Sequence, residues 1–303
     1  MTDDTNSSSG EWDKLEPRIL VKIFTLLSIM DLISGVSMVC HSWLSACRDP
    51  SLWNTIDLSV LTCRRFNTPQ LPYAWSDGDS KDRMLHILKS ISRISGNNPS
   101  TLYFNFYIRL TNEHLALASE SFPNLRRVVL STYNNVTLNG FSNAVQQWQN
   151  LESLTLPAFS RPECMIMVIG ENCRRFSKLR FTCPFSIEMA NAIRAYLPNL
   201  KSLSLRSSLV DKEALTILLN GDTKLEVLNL SHCVFRDILR SSFENFYFYR
   251  ELQPSIIRKA SKIKTFLHCN NNSECRLCQS LPKAEFEYRE QVWREDEVTE
   301  LAM

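Results

Sequence analysis

A single apolar spacing limits what this chain can fold into. The unit is an apolar residue, two others, an apolar residue, one other, and a third apolar residue. It recurs as Leu125-x-x-Val128-x-Leu130, Leu151-x-x-Leu154-x-Leu156, Phe176-x-x-Leu179-x-Phe181, Leu200-x-x-Leu203-x-Leu205 and Leu225-x-x-Leu228-x-Leu230, at intervals of 26, 25, 24 and 25 residues. Weaker copies extend the array: Trp53-x-x-Ile56-x-Leu58 and Pro99-x-x-Leu102-x-Phe104 before it, and Ile263-x-x-Phe266-x-His268 after it. A fixed period is stronger evidence than local propensity. The short alternating segments predict strands, and helix candidates lie between them near 81–94, 112–120, 163–173, 187–197 and 212–219. A lone unit would leave its leucines in water. Stacked units bury them between parallel strands and outer helices, so each unit is stabilised by its neighbours.

The intervals fall within the leucine-rich-repeat range of about 20–29 residues. The predicted fold is therefore α/β: a leucine-rich-repeat solenoid with parallel strands on the concave face and helices outside, preceded by a small all-α module. At a strand spacing of about 4.8 Å, about seven strands make a face some 30 Å across. Side chains between the buried positions point outward onto that face. They include Arg127, Lys178, Arg180 and Arg206, alongside Ser153, Thr155, Ser202, Ser204 and Asn229. With Lys178 and Arg180 one strand from Arg206, charge-assisted hydrogen bonds could hold a phosphorylated or acidic target segment. A merely solvated basic face is the alternative. The last interval grows to 38 residues through an aromatic insertion, FENFYFY at 243–249, which reads as a binding loop or an end cap. The N-terminal helices would cap one end of the array. The segment in which Phe286 and Tyr288 alternate with Glu285 and Glu287 would cap the other.

Residues 1–10 read as a disordered leader, acidic and polar where an export signal would be basic and then apolar. Beyond Trp12, Leu15, Ile19, Ile23 and Leu26 recur at helical spacing, and Pro17 suits a first helical turn. Leu32, Val36, Val39 and Trp43 then predict a second amphipathic helix, entered through Ser28 to Asp31. Lys22 and Asp31 interrupt the apolar run and would each cost about 2.5–3.5 kcal/mol at a bilayer centre, which argues against a membrane span. The stretch WDKLEPRILVKIFTLLSIMDLISGVSMVCHSWLSACRDPSLWNTIDLS resembles the F-box. With the repeats behind it, the chain resembles a plant F-box/leucine-rich-repeat protein, a likeness that also takes in FLHCNNNSECRLCQ near the C-terminus. The likeness rests on Leu15, Ile19, Leu20, Ile23, Phe24, Leu32, Val36, Val39, Cys40, Trp43 and the terminal Leu52-Trp53 as an ensemble.

The resemblance implies that these helices, with Pro17, dock on a Skp-type adaptor that bridges to a cullin. The repeats would hold a target protein for ubiquitin transfer by an enzyme bound elsewhere. Such a chain is a non-catalytic receptor, expected in the nucleus or the cytoplasm or both. The family usually begins with Leu-Pro, whereas here Leu15-Glu16-Pro17 moves the proline one place. The implied division is a leader at 1–10, an F-box at 11–53, a solenoid at 54–268 and a cap or tail at 269–303.

A formal charge of +2 gives no global field for nucleic acid or an anionic membrane. Ten cysteines without an export signal read as reduced thiols, most of them small core residues. No phosphate-binding glycine loop, His-Glu-x-x-His or Gly-x-Ser-x-Gly occurs, and no cofactor is called for by a motif. One cluster points to zinc: His268-Cys269, Cys275 and Cys278, the last two at ligand spacing. In a strand His268 and Cys269 face opposite ways. That leaves Cys269, Cys275 and Cys278 as three ligands unless His232 or Cys233 joins from the preceding repeat. Buried or turn thiols are the alternative. Two other functions compete with the receptor reading, a scaffold unrelated to ubiquitin and a thiol enzyme using a tail cysteine.

Overall fold

The computed structural model describes residues 15–62, 75–181, 183–221, 224–238, 246–269, 275, 278 and 279. The expected leader at 1–10, Trp12, Tyr73 and the alternating segment around Phe286 and Tyr288 lie outside these residues. The strands are β1 (Thr55–Asp57), β2 (Thr101–Tyr103), β3 (Leu110–Thr111), β4 (Arg127–Val129), β5 (Asn134–Asn135), β6 (Ser153–Leu156), β7 (Lys178–Phe181), β8 (Ser202–Ser204), β9 (Leu209–Asp211), β10 (Val227–Asn229), β11 (Val234–Ile238), β12 (Phe246–Tyr249) and β13 (Thr265–Leu267). Every copy of the repeated unit, weak ones included, contributes one strand to a single sheet of order β1-β2-β4-β6-β7-β8-β10-β13.

The pairing is parallel throughout that sheet, and its register aligns the motif. Ile56, Leu102, Val128, Leu154, Leu179, Leu203, Leu228 and Phe266 form one row across the strands. All but Phe266 are buried. The last apolar residue of each unit forms a second buried row, from Leu58 through Phe104, Leu130, Leu156, Phe181 and Leu205 to Leu230. The strands are short because the motif supplies only a few extended residues before the chain turns outward. Side chains close those turns: Ser208 Oγ donates to the Phe181 carbonyl at 3.3 Å, and Cys233 Sγ to the Leu205 carbonyl at 2.9 Å.

Helices Gly78–Ser95, Asn112–Ser121, Leu138–Gln147, Pro162–Asn172, Ile187–Tyr196 and Lys212–Leu219 pack each against the next on the other side of the core. Local chemistry starts them. Asp77 accepts from the Ser80 N–H at 2.8 Å, and Thr137 Oγ1 accepts from the Gly140 N–H at 3.1 Å. Their buried faces follow helical spacing, as with Met84, Ile87, Leu88 and Ile91. Helix Leu138–Gln147 is not among those expected from sequence.

The N-terminal module comprises α1 (Pro17–Phe24), α2 (Ile29–Ser34) and α3 (His41–Cys47). The single helix expected from Leu32 to Trp43 is instead α2, a 3₁₀ turn at Val36–Met38, and α3. Gly35 makes the break, with φ −115° and ψ −91°, and a Cβ there would lie 2.7 Å from the Asp31 carbonyl oxygen. Ser28 and Asp31 cap α2 reciprocally through their side chains. Trp53 is fully buried and donates from Nε1 to the Cys47 carbonyl at 2.6 Å, so the module and the solenoid share one hydrophobic core.

The aromatic insertion also departs from expectation. Its described part, Phe246–Tyr249, is no loop but strand β12, paired antiparallel with β11 so that Phe235 faces Tyr249. Among the described residues no helix is long and apolar enough to cross a membrane.

Candidate functional site

The eleven residues expected to meet an adaptor divide by face. On α1, Leu20 and Phe24 point into the core, while Pro17, Ile19 and Ile23 are exposed. Leu32 is buried, and Leu15, Val36 and Trp43 are half-buried against the core. Trp43 meets Phe24 edge to face, with ring centroids 5.5 Å apart. Cys40 is half-buried with Sγ 3.1 Å from Ser42 Oγ, and Val39 is exposed. Leu26 at 84% and Met38 at 78% exposure are more open than Ile19, Ile23 or Val39, although neither is expected as a contact from sequence. Both sit in turns that follow a helical signal, where spacing alone does not tell which face is left uncovered. Ile19, Ile23, Leu26, Met38 and Val39 thus stay in water on a module that otherwise buries its apolar side chains. Exposed apolar groups of this size mark an interaction surface.

The basic face is smaller than expected. Lys178 is exposed and Arg127 half-buried, the latter donating to Tyr103 Oη at 3.1 Å with its guanidinium carbon 5.1 Å from the ring centroid. Both line a cleft of about 220 Å³ with Ser100, Arg126 and Glu152. Arg180 and Arg206, by contrast, keep only 7% and 5% exposure. The register explains part of this: Arg180 lies in the row between Thr155 and Ser204, both buried, rather than over an open surface. The register also separates Lys178 from Arg206, since Lys178 pairs with Ser202, four residues before Arg206. Lys178 is exposed while Arg180 and Arg206 are buried, so the three do not share one open face.

At the C-terminal end of the sheet the thiols converge. Cys269 follows β13, and Cys275 is tied to the residue after Cys278 by the Gln279 N–H, which donates to the Cys275 carbonyl at 3.0 Å. The fourth member is His232, in the turn after β10. Its Nδ1 lies 3.1 Å from Cys269 Sγ, 3.3 Å from Cys278 Sγ and 3.4 Å from Cys275 Sγ. The His232 N–H also points at Cys269 Sγ, at 3.3 Å. His268 takes no part and stacks on Phe266, with centroids 4.7 Å apart. Cys233 is turned into the core, as its bond to Leu205 requires. Burial, helped by the Arg206 and Arg250 charges, pushes the His232 imidazole down to about 4. Burial pushes the Cys269 and Cys278 thiols up. The same desolvation raises Cys47 to about 11 and Cys173, Cys183 and Cys233 to about 12, which makes these core thiols poor nucleophiles.

Comparison with known proteins bears on the N-terminal module and on the chain as a whole. A family described as F-box-like matches residues 12–59. An F-box/LRR-repeat protein of Arabidopsis thaliana is 36% identical over 295 residues, covering 96% of each chain. A putative F-box protein of the same plant is 28% identical over 98% of each chain. The Arabidopsis thaliana F-box protein SKIP1 is 26% identical over 74% of this chain and 80% of its own.

Proposed function

Because this chain belongs to the plant F-box/leucine-rich-repeat family, we propose that it is a substrate receptor of an SCF-type ubiquitin ligase. In this reading its N-terminal module docks on a Skp-type adaptor, and through it on a cullin, while the solenoid captures a target protein. The observation that carries the proposal is the uncovered apolar set Ile19, Ile23, Leu26, Met38 and Val39, on a module whose remaining apolar residues already form a core. The chain itself is a non-catalytic receptor. Its role is positional: it brings the target near an enzyme bound elsewhere in the assembly and so raises the local concentration of the reacting groups. Arg127 and Lys178 remain the basic residues of the strand face available to a target. Work would take place in the nucleus, the cytoplasm or both.

The test is binding to a purified Skp-type adaptor, followed by reconstitution with cullin and conjugating enzymes. Ile23→Asp combined with Leu26→Asp places two charges in the apolar set without touching Leu20 or Phe24. If each residue contributes about 2 kcal/mol at the interface, the double variant should weaken adaptor binding by at least about 100-fold. Its circular dichroism and thermal midpoint should stay close to those of the parent. Lys178→Glu should leave adaptor affinity unchanged and weaken target capture. Undiminished adaptor binding by the double variant would remove the basis of this reading. Adaptor binding without ubiquitin transfer to any captured protein would leave a scaffold.

A further inference from the structure

Four donor atoms from three separated parts of the chain meet at the end of the solenoid. His232 comes from one repeat, Cys269 from the next, and Cys275 and Cys278 from the segment beyond it. Their ligand atoms all lie within 4.8 Å of one another. The Cys269–Cys278 sulfur separation has the size that a bound ion would set, and the sulfur–nitrogen distances fall a few tenths of an ångström short of it. Zinc–sulfur bonds of about 2.3 Å and zinc–nitrogen bonds of about 2.0–2.1 Å at tetrahedral angles separate sulfur from sulfur by about 3.8 Å and sulfur from nitrogen by about 3.6 Å. Here Cys269 and Cys278 sulfurs are 3.7 Å apart, and the three sulfur–nitrogen distances are 3.1, 3.3 and 3.4 Å. A disulfide, whose sulfurs are about 2.05 Å apart, accounts for none of them, and none of the three cysteines is in a disulfide.

Two further features fit a metal. His232 has φ +60°, a left-handed conformation uncommon for a residue with a side chain and often found where function constrains the backbone. Its own N–H is thereby aimed at Cys269 Sγ, the kind of hydrogen bond that stabilises and orients a metal-bound thiolate. Charge balance adds to this. Three thiolates and a neutral imidazole around a dication carry one net negative charge, and the positive charges of Arg206 and Arg250 are felt at His232.

We propose that His232, Cys269, Cys275 and Cys278 form a structural zinc site of the Cys₃His type that ties the last repeats of the solenoid to the segment after β13. Four protein ligands close a tetrahedral shell, which is the arrangement of structural rather than catalytic zinc. Binding releases the thiol protons to solvent, so no oxidant or other co-reactant enters the step.

Elemental analysis of the full chain, purified under reducing conditions and desalted after incubation with zinc, is expected to find about one zinc per chain. Cys278→Ser should bring this near background, and His268→Ala, which removes only the ring stacked on Phe266, should leave it unchanged. Cys278→His, which keeps a ligand in place, should retain the metal and guards against reading a folding defect as loss of a site. Cobalt exchanged for zinc should show thiolate charge-transfer and tetrahedral ligand-field absorption that Cys278→Ser abolishes. A zinc-free chain with native circular dichroism after the incubation, zinc content indifferent to Cys278→Ser, or a Cys275–Cys278 disulfide in non-reduced peptide maps would each overturn the proposal. Adaptor binding reports on the opposite end of the molecule and need not change in any of these variants.

Discussion

The imidazole of His114 is fully buried, and both of its nitrogens are engaged. The Thr111 N–H donates to Nδ1 at 3.1 Å, so Nδ1 must accept and the proton sits on Nε2, 3.2 Å from the Lys81 carbonyl. The ring completes the N-cap of its helix and ties it to the preceding one. Burial, first among several influences, holds its pKa below the ordinary histidine value. An unfolded chain takes up this proton near pH 6.5, whereas the native state resists it. The contribution is complete above that pH and is lost as pH falls through the depressed native value. We expect the urea midpoint to drop between about pH 7.5 and pH 5.5, and His114→Gln, though less stable overall, to show a smaller drop. Equal pH slopes in the two proteins would assign the acid sensitivity elsewhere. At this scale the sequence was unevenly informative. The Cys275-x-x-Cys278 spacing is local and can be read directly, but His232 reaches Cys269 only because stacking brings one turn over the next, and so it stood as one of two candidates. Arg180 and Arg206 were misplaced for a related reason: alternation gives the side of the strand but not whether that side is open.

Helix Pro162–Asn172 shows what stacking demands of an element. Gly170 faces the end of helix Ile187–Tyr196 so closely that a Cβ would lie 2.3 Å from the Tyr196 carbonyl oxygen and 2.9 Å from its carbonyl carbon. Alanine is favoured over glycine by about 1 kcal/mol in a helix interior. Here the obstacle is backbone and cannot swing aside, so Gly170→Ala should be net destabilising by about 1–3 kcal/mol. Gly78→Ala is the control, since a Cβ there meets nothing within 4 Å; it should be neutral or slightly stabilising. Urea midpoints of the two variants check the pair, and a stabilised Gly170→Ala would mean that the helices pack more loosely than this. The repeat strands and most outer helices were legible because the motif and the apolar spacing are local signals. The break at Gly35 was not, because the apolar spacing from Leu32 to Trp43 runs on unbroken through a 3₁₀ turn. Strand β12 was also missed, since its aromatic run becomes a strand only by pairing with β11, an element the motif does not announce.

Across the whole molecule, Trp53 belongs to two units at once. It closes the F-box stretch and opens the first repeat copy, and a boundary drawn at 53–54 from sequence passes beside it. The structure accounts for the overlap. The Trp53 indole is held by the Cys47 carbonyl at the end of α3, while the next residue, Asn54, accepts from the Ser100 and Thr101 N–H groups at 2.9 and 3.1 Å where β2 begins. The helical module therefore continues the hydrophobic core of the stacked array rather than standing apart from it. Trp53→Ala, which removes a fully buried indole, should destabilise by about 3–5 kcal/mol. The loss should be shared: amide exchange at Ser100 and Thr101 should quicken together with that of α1 and α3, and adaptor affinity should fall with the folded fraction. Ile23→Asp with Leu26→Asp should do the reverse, abolishing adaptor binding while those amides keep their protection. Exchange at Ser100 and Thr101 that is indifferent to Trp53→Ala would show two independent domains. Faster exchange in the surface variant would show that its residues support the fold rather than a partner.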